Sequence, residues 1–387
     1  MKFFLNRNHE FCVSGRLGLL QGRGVRMNQT VSLRIGCVSF LMVAGLLASG
    51  IVSAQSSPAK VQVKADGAVM IPAETVPQSS NLSAAARQYV TEHLEQMQDP
   101  EIVKQDAGVP RFMKPYLAWD RQRFAVDRKE MKIGGVHVYV YTPRGGVKAA
   151  NRGRVLMNLH GGGFTGCWPG CAELESIPLA AQMGVKVVSV DYREGPKDRF
   201  PAASEDVASV YRELLKQYAA KSIGVYGCSA GGMLTAMSLA WFEAHGLPMP
   251  GADGIFCASA GGFGGDAQYI AFPLGEARMP PAAAPGARQL GYFAGTNPDD
   301  PMVAPIRSAS TLAKFPPTLL ITGTRDFAMS GAIETELALH KAGVATELHV
   351  WDGLFHGFFY NAEVPESQDA FAVMAEFFSR RLERSTR

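Results

Sequence analysis

For a hydroxyl to attack an acyl carbon, three side chains must meet: a nucleophile, a base for its proton, and a group that orients the base. The nucleophile with the strongest local case is Ser229, in Tyr226-Gly227-Cys228-Ser229-Ala230-Gly231-Gly232. That stretch follows a short apolar run at 222–225 and leads into a helical pattern over 233–245, with Met233, Leu234, Met237, Leu239 and Ala240 apolar. A strand that breaks into a helix through Gly-x-Ser-x-Gly makes a turn too tight for bulky neighbours. The turn lifts the hydroxyl above the sheet and aims the next backbone N–H at a forming oxyanion. The positive end of the helix dipole favours the same charge. A second Ser-Ala-Gly-Gly string begins at Ser259, but Cys257 stands in place of the first glycine and no helical pattern follows. Ser259 is therefore read as a strand-end residue.

Eight histidines compete for the role of base. His9 lies near the N-terminus, His93 in an early helix, His137 in a hairpin, His245 and His340 in helices, and His349 within the last strand. His160 adjoins a glycine triplet, where a structural role is expected. His356 alone falls in a loop after the last strand, at the edge where such sheets carry their active sites. For the orienting acid, the order Ser, Asp, His selects Asp326, which follows the apolar run 319–322. The rival Asp352 sits in Trp351-Asp352-Gly353, which reads as a turn. Donors for the oxyanion are expected from Leu159-His160-Gly161-Gly162-Gly163-Phe164. Gly161 and Gly162 are assigned as donors together with the N–H of Ala230, with Gly163 shaping the turn and His160 supporting it. A phosphate loop would need a Lys-Ser/Thr ending or Gly-x-Gly-x-x-Gly spacing, and neither is there.

The elements that must position these groups alternate along the chain. Helical patterns run over 83–97 and 111–123. A hairpin follows, 124–133 with 136–142, joined at Gly134-Gly135. Strands are expected at 154–159, 185–191, 222–226, 254–258, 318–322 and 346–350, and helices at 173–183, 203–219, 331–341 and 366–384. An opening hairpin and then alternating strands and helices predict an α/β domain: a mainly parallel central sheet with helices on both faces. The Gly-, Pro- and Ala-rich stretch 261–314 is too long for a plain connection and is expected to shape the pocket from above. The helices of 81–123 read either as a cap over the sheet or as flank packing. The organisation expected is a leader at 1–54, a linker at 55–80, cap helices at 81–123 and the catalytic domain at 124–387, with 261–314 adding to the cap.

Composition narrows the classes. The chain has 387 residues, 47% of them hydrophobic, and a formal charge of +3. Six basic side chains and one acidic one lie within 1–54, so the body is nearly neutral and offers no electrostatic case for nucleic acid. Within 1–54, Arg34, the apolar run 35–52 and Val52-Ser53-Ala54 fit a signal peptide cleaved after Ala54, hence export to the periplasm or beyond. Retention of that run as an uncleaved anchor is the alternative; without it the chain needs no stable membrane span. Cys167 and Cys171 flank a compact turn and read equally as a disulfide or as two thiols. No Cys or His pairs stand at zinc-ligand spacing, so no metal is expected.

Taken together, these motifs resemble the hormone-sensitive-lipase-type branch of the α/β-hydrolases, a family of esterases. The likeness rests on His160-Gly161-Gly162-Gly163-Phe164, Gly227-Cys228-Ser229-Ala230-Gly231-Gly232, Asp326 and His356-Gly357-Phe358. Asp191-Tyr192-Arg193, Pro196, Phe200-Pro201-Ala202-Ala203 and Glu205-Asp206 match a further block of that branch, and the resemblance spans residues 125–385. It implies the α/β-hydrolase fold, carboxylic ester hydrolysis with no cofactor, and a cap built partly from N-terminal helices. Cys228 stands where the family has Asp or Thr, Glu194-Gly195 where it has Leu-Ala, and Phe327 where Pro is frequent. The expected function is a serine carboxylesterase for small to medium acyl esters, with lactones as cyclic variants: Ser229 attacks, His356 moves the proton and Asp326 holds the imidazole. A catalytically silent ligand-binding module on the same fold, or an acyltransferase or peptidase with the same triad, are the rival readings. Oligomeric state is left open.

Overall fold

The computed structural model describes residues 60–279 and 291–384. The expected leader and its cleavage site lie outside the described residues, as does 280–290 of the long Gly/Pro/Ala stretch. Among the described residues no helix is long and apolar enough to cross a membrane. The chain divides into two units, 1–73 and 74–387. In the first, the expected linker carries a short antiparallel hairpin of β1 (Gln62–Val63) and β2 (Val69–Met70). Gly67 at φ +85° and an Asp66 side chain accepting from the Ala68 amide at 3.0 Å close its turn.

The second unit opens with α1 (Ala84–Gln96), capped by the Ser83 hydroxyl, which accepts from the Ala86 amide. A two-residue pairing of β3 (Gln105–Asp106) with β4 (Val109–Pro110) precedes α2 (Lys114–Arg123). Then come β5 (Val126–Ile133), β6 (Val136–Pro143), β7 (Val155–Leu159), α3 (Gly170–Met183), β8 (Lys186–Val190), α4 (Ala202–Leu215), β9 (Ile223–Cys228) and α5 (Ala230–Ala244). The chain finishes with β10 (Ala252–Phe256), α6 (Ala267–Glu276), α7 (Ala309–Leu312), β11 (Thr318–Arg325), α8 (Met329–Lys341), β12 (Thr346–Phe355) and α9 (Pro365–Arg381).

Eight strands form one sheet in the order β12-β11-β10-β9-β7-β8-β6-β5. The six from β12 to β8 are parallel, and β6 and β5 close that side antiparallel. The reason is visible in the residues. β7, β9 and β10 are buried along their whole length, as parallel strands covered on both faces must be. β5 reads Val-Asp-Arg-Lys-Glu-Met-Lys-Ile and is largely exposed, a charged edge that resists pairing with another chain. Two apolar clusters flank the sheet. One packs Ile177 of α3 and Phe371 and Phe378 of α9 against Leu156 and Tyr226; the other packs Tyr211 of α4 and Phe242 of α5 against Val155 and Val225. Each such buried side chain contributes roughly 1.5–3 kcal/mol.

Two expectations change. Trp351-Asp352-Gly353 is not a free turn but part of β12, where an irregular register opposite Gly323 and Arg325 absorbs Gly353 at φ +75°. The long stretch 261–314 contains a true helix, α6, against β11 and β12, despite Pro273 inside it. Of the early helices, α2 packs on α3 and α1 on α9, and the Glu366 carboxylate accepts from the Ser83 amide and hydroxyl at 2.7 and 2.9 Å.

Candidate active site

Ser229 follows β9 directly, with φ +57° and ψ −121°, a conformation that L residues rarely hold. The turn is tight because its glycines sit against backbone. A Cβ on Gly227 would lie 2.1 Å from the Leu159 carbonyl oxygen, and one on Gly231 1.8 Å from the same atom. Only glycine fits at either place. The Ser229 amide donates to the Phe256 carbonyl at 2.8 Å, which pins the turn to β10. Ala230, the first residue of α5, has its N–H at the helix start, where no intrahelical acceptor exists.

Asp326 follows β11 and is fully buried. One carboxylate oxygen accepts from the Ala328 amide at 2.8 Å and lies 2.8 Å from His356 Nδ1; the other accepts from the Thr322 hydroxyl at 2.8 Å. Burial would raise the proton affinity of this carboxyl, but the charge and hydrogen bond of His356, with the Ala328 and Thr322 donors, outweigh it and hold the pKa below its ordinary value. The acid is therefore ionised, Nδ1 carries the imidazole proton, and Nε2 is left as the basic nitrogen. For His356 burial acts to lower the pKa, and the charge and hydrogen bond of Asp326 together with the charge of Glu276 reverse it to a net rise. Phe327 stacks on the imidazole at 4.2 Å between centroids, 21° from parallel, and Phe263 meets it edge-on at 6.3 Å. Cys257, at the end of β10, accepts from the Gly357 amide at 3.3 Å through its sulfur. Its sulfur and the Asp326 and His356 donor atoms lie within 4.8 Å of one another. Ser229, Asp326 and His356 thus stand after the C-terminal ends of β9, β11 and β12 in one sheet.

The glycine loop departs from expectation at one residue. Gly161 is buried and its N–H is already donated to the Glu175 carboxylate at 2.9 Å, so it cannot serve the oxyanion. Its neighbours are open to the solvent side: Gly162 is half-buried and Gly163 exposed, at φ +125° and +67°. Among the described residues neither of their amides has an acceptor, so both are open to a ligand. His160 lies at the start of the glycine loop. It is buried, stacks on Tyr192 at 4.4 Å, and its Nδ1 lies 2.7 Å from the Gly161 carbonyl, while the Tyr192 hydroxyl donates to the His160 carbonyl at 2.6 Å. Burial lowers its pKa to about 4, so the ring is neutral. Ser259, the decoy, donates to the Gly262 carbonyl and accepts from the Gly261 amide, a turn-closing role. Asp352 accepts from Asn81 and Thr324 at 3.1 Å and from the Ser79 hydroxyl, while the imidazole bonds to Asp326. Cys167 and Cys171 form a disulfide behind the glycine loop.

Comparison with known proteins fits this geometry. The profile of a family described as the alpha/beta hydrolase fold matches residues 156–360. The chain belongs to that family. It is an α/β-hydrolase and a carboxylic ester hydrolase. An acetyl-hydrolase of Streptomyces hygroscopicus is 28% identical over 271 residues, 67% of this chain and 87% of that protein. An ethyl acetate hydrolase of Pseudomonas putida is 29% identical over 245 residues, 57% of this chain and 71% of that one. A crystal structure of an esterase superposes with a TM-score of 0.70 at 29% identity, covering 81% of this hydrolase and 99% of its own chain.

Sequence reasoning missed Glu175, Glu276 and the stacking of Phe327. Glu175 left no mark in the sequence, where Glu173-Leu174-Glu175-Ser176 reads as an ordinary polar stretch; only the structure shows that α3 is buried from Gly170 to Ala180.

Proposed function

We propose that this hydrolase cleaves small to medium acyl esters, lactones included, through an acyl-enzyme on Ser229. His356 Nε2 takes the serine proton as the hydroxyl oxygen bonds to the acyl carbon, and returns it to the departing alcohol. Asp326 holds the imidazole in the tautomer that makes this transfer, and its charge stabilises the imidazolium. The amides of Gly162, Gly163 and Ala230 receive the negative charge that grows on the carbonyl oxygen, each such donor contributing about 3–4 kcal/mol of barrier lowering. A water activated by the same histidine then releases the acid. The observation that carries this reading is the buried Asp326–His356 hydrogen bond of 2.8 Å, set at the same sheet end as a serine held at φ +57°. The acetyl and ethyl acetate hydrolases among its relatives support short acyl groups as substrates. Export belongs to the same proposal, supported by the Cys167–Cys171 disulfide, a bond typical of oxidising compartments.

The test is Ser229→Ala assayed on nitrophenyl esters of increasing acyl length. The variant should lose about 10⁴–10⁶ in kcat with the fold intact. Turnover undiminished by that change would remove the mechanism.

A further inference from the structure

Glu175 sits in the middle of α3, is 2% exposed, and touches no group assigned to proton transfer. Its carboxylate nevertheless collects donors from three separate parts of the site. One oxygen accepts from the Gly161 amide at 2.9 Å and the Tyr360 hydroxyl at 2.8 Å, the other from Asn158 Nδ2 at 2.7 Å. The Cys228 backbone also lies close enough to favour the charged form. Asn158 lies on β7, the strand that runs into the glycine loop. Cys228 immediately precedes Ser229, and Tyr360 lies in the turn after His356. A buried carboxylate without donors would be strongly unfavourable, and this one is surrounded by them.

The consequence lies in the glycine loop. Successive peptide groups there are claimed one by one: the His160 carbonyl by Tyr192, the Gly161 amide by Glu175, the Gly161 carbonyl by the His160 ring, the Gly162 carbonyl by the Thr165 amide at 3.1 Å. With these groups engaged, the Gly162 and Gly163 amides have no acceptor among the described residues and are open to the reacting oxygen. The Gly161 peptide is the pivot. Released from Glu175, it keeps only the Tyr192 hydrogen bond to the His160 carbonyl, and the wide φ range of glycine lets the peptides beyond it shift.

We propose that Glu175 is a positioning residue that fixes the glycine loop onto the nucleophile turn and the histidine loop, so that the Gly162 and Gly163 amides are aimed at the oxyanion. This rests on the triad reading above. The test compares the full-length wild type with Glu175→Met, Glu175→Asp and Glu175→Gln, with Ser229→Ala alongside. The readouts are kcat and KM on nitrophenyl acetate, the inhibition constant of a trifluoromethyl ketone that adds to the serine to form an oxyanion, and the melting temperature. Met removes the acceptor, and Asp draws it back by one methylene while keeping the charge. Both should lower kcat by roughly 10–100-fold with KM within about threefold, as expected for misaimed rather than absent donors. The trifluoromethyl ketone should weaken in proportion to the loss in kcat/KM. Gln keeps one oxygen for Gly161 and Tyr360, and its amino group can face Asn158 Oδ1, which has no other partner. It should therefore stay within about threefold of wild type. Should Glu175→Met fail to accumulate, Glu175→Asp decides. Wild-type kcat in the Met or Asp variant, even with a lowered melting temperature, overturns the inference, as does a Gln variant as damaged as Met. If Ser229→Ala is inactive while the Glu175 variants turn over normally, this inference alone fails; an active Ser229→Ala removes the triad reading and this inference with it.

Discussion

Gly162 offers the sharpest test of where the oxyanion donors lie. Its φ of +125° is outside the region open to residues with a Cβ, and that Cβ would stand 1.9 Å from the Gly166 carbonyl oxygen and 2.8 Å from Cys167 Cβ. Contacts under 3.0 Å are essentially never seen for a real Cβ, so in Gly162→Ala something must move by about an ångström. The far side cannot yield easily. Cys167 is tied to Cys171 by the disulfide, and its amide donates to Gln105 at 2.9 Å. The displacement therefore falls on the glycine loop and carries the Gly162 and Gly163 amides with it. An ångström of misplacement costs about 10²-fold, and losing one donor outright about 10²–10³-fold, or roughly 3–4 kcal/mol. Gly163 is the internal control. Its φ of +67° is a region alanine tolerates at about 1–2 kcal/mol, and the nearest atom to an added Cβ is Thr165 Oγ1 at 3.7 Å. Steady-state kinetics on nitrophenyl acetate should find kcat of Gly162→Ala down by about 10²–10³-fold with KM little changed, and Gly163→Ala within about tenfold. Melting curves of both proteins establish that each is folded. If Gly162→Ala keeps wild-type kcat, or if Gly163→Ala is equally damaged, the steric argument and the donor assignment fail together.

Two pH-dependent outcomes follow from buried charge. Asp120 is 0% exposed, neither of its oxygens meets a donor among the described residues, and burial with the nearby charge of Glu173 pushes its pKa up to about 8. A carboxyl whose folded pKa is raised contributes stability below its unfolded pKa and loses it as pH rises through the folded value, at about 1.4 kcal/mol per pH unit. Urea unfolding should therefore find Asp120→Asn gaining about 4 kcal/mol on wild type between pH 5 and pH 8; a gap that does not change with pH would mean the carboxylate is ionised without penalty. The second outcome concerns Glu276, whose charge helps raise the His356 pKa. Since the base works only when neutral, Glu276→Gln should move the acid limb of kcat/KM to lower pH, and a limb that stays in place would remove Glu276 from the electrostatics of the site.

What could be read in the residues was what the backbone itself dictates. The nucleophile turn is announced by glycines at which a Cβ would stand within 2.1 Å of backbone, a constraint that leaves a mark at fixed spacing. The strands are announced by runs buried on both faces, and Asp326 and His356 by their places after strand ends. The errors share a different cause: partners distant along the chain. Trp351-Asp352-Gly353 has turn chemistry, yet the strand runs on because an irregular register across from β11 absorbs it and Asn81 and Thr324 bind the carboxylate. Helix α6 is masked by Pro273, and its place is set by packing against β11 and β12. The glycine triplet shows the limit most clearly. Three glycines in a row provide three amides that could point at a substrate, and nothing in the triplet chooses among them. One carboxylate fourteen residues later, on a helix with no polar face, claims the Gly161 amide and leaves the next two without an acceptor among the described residues.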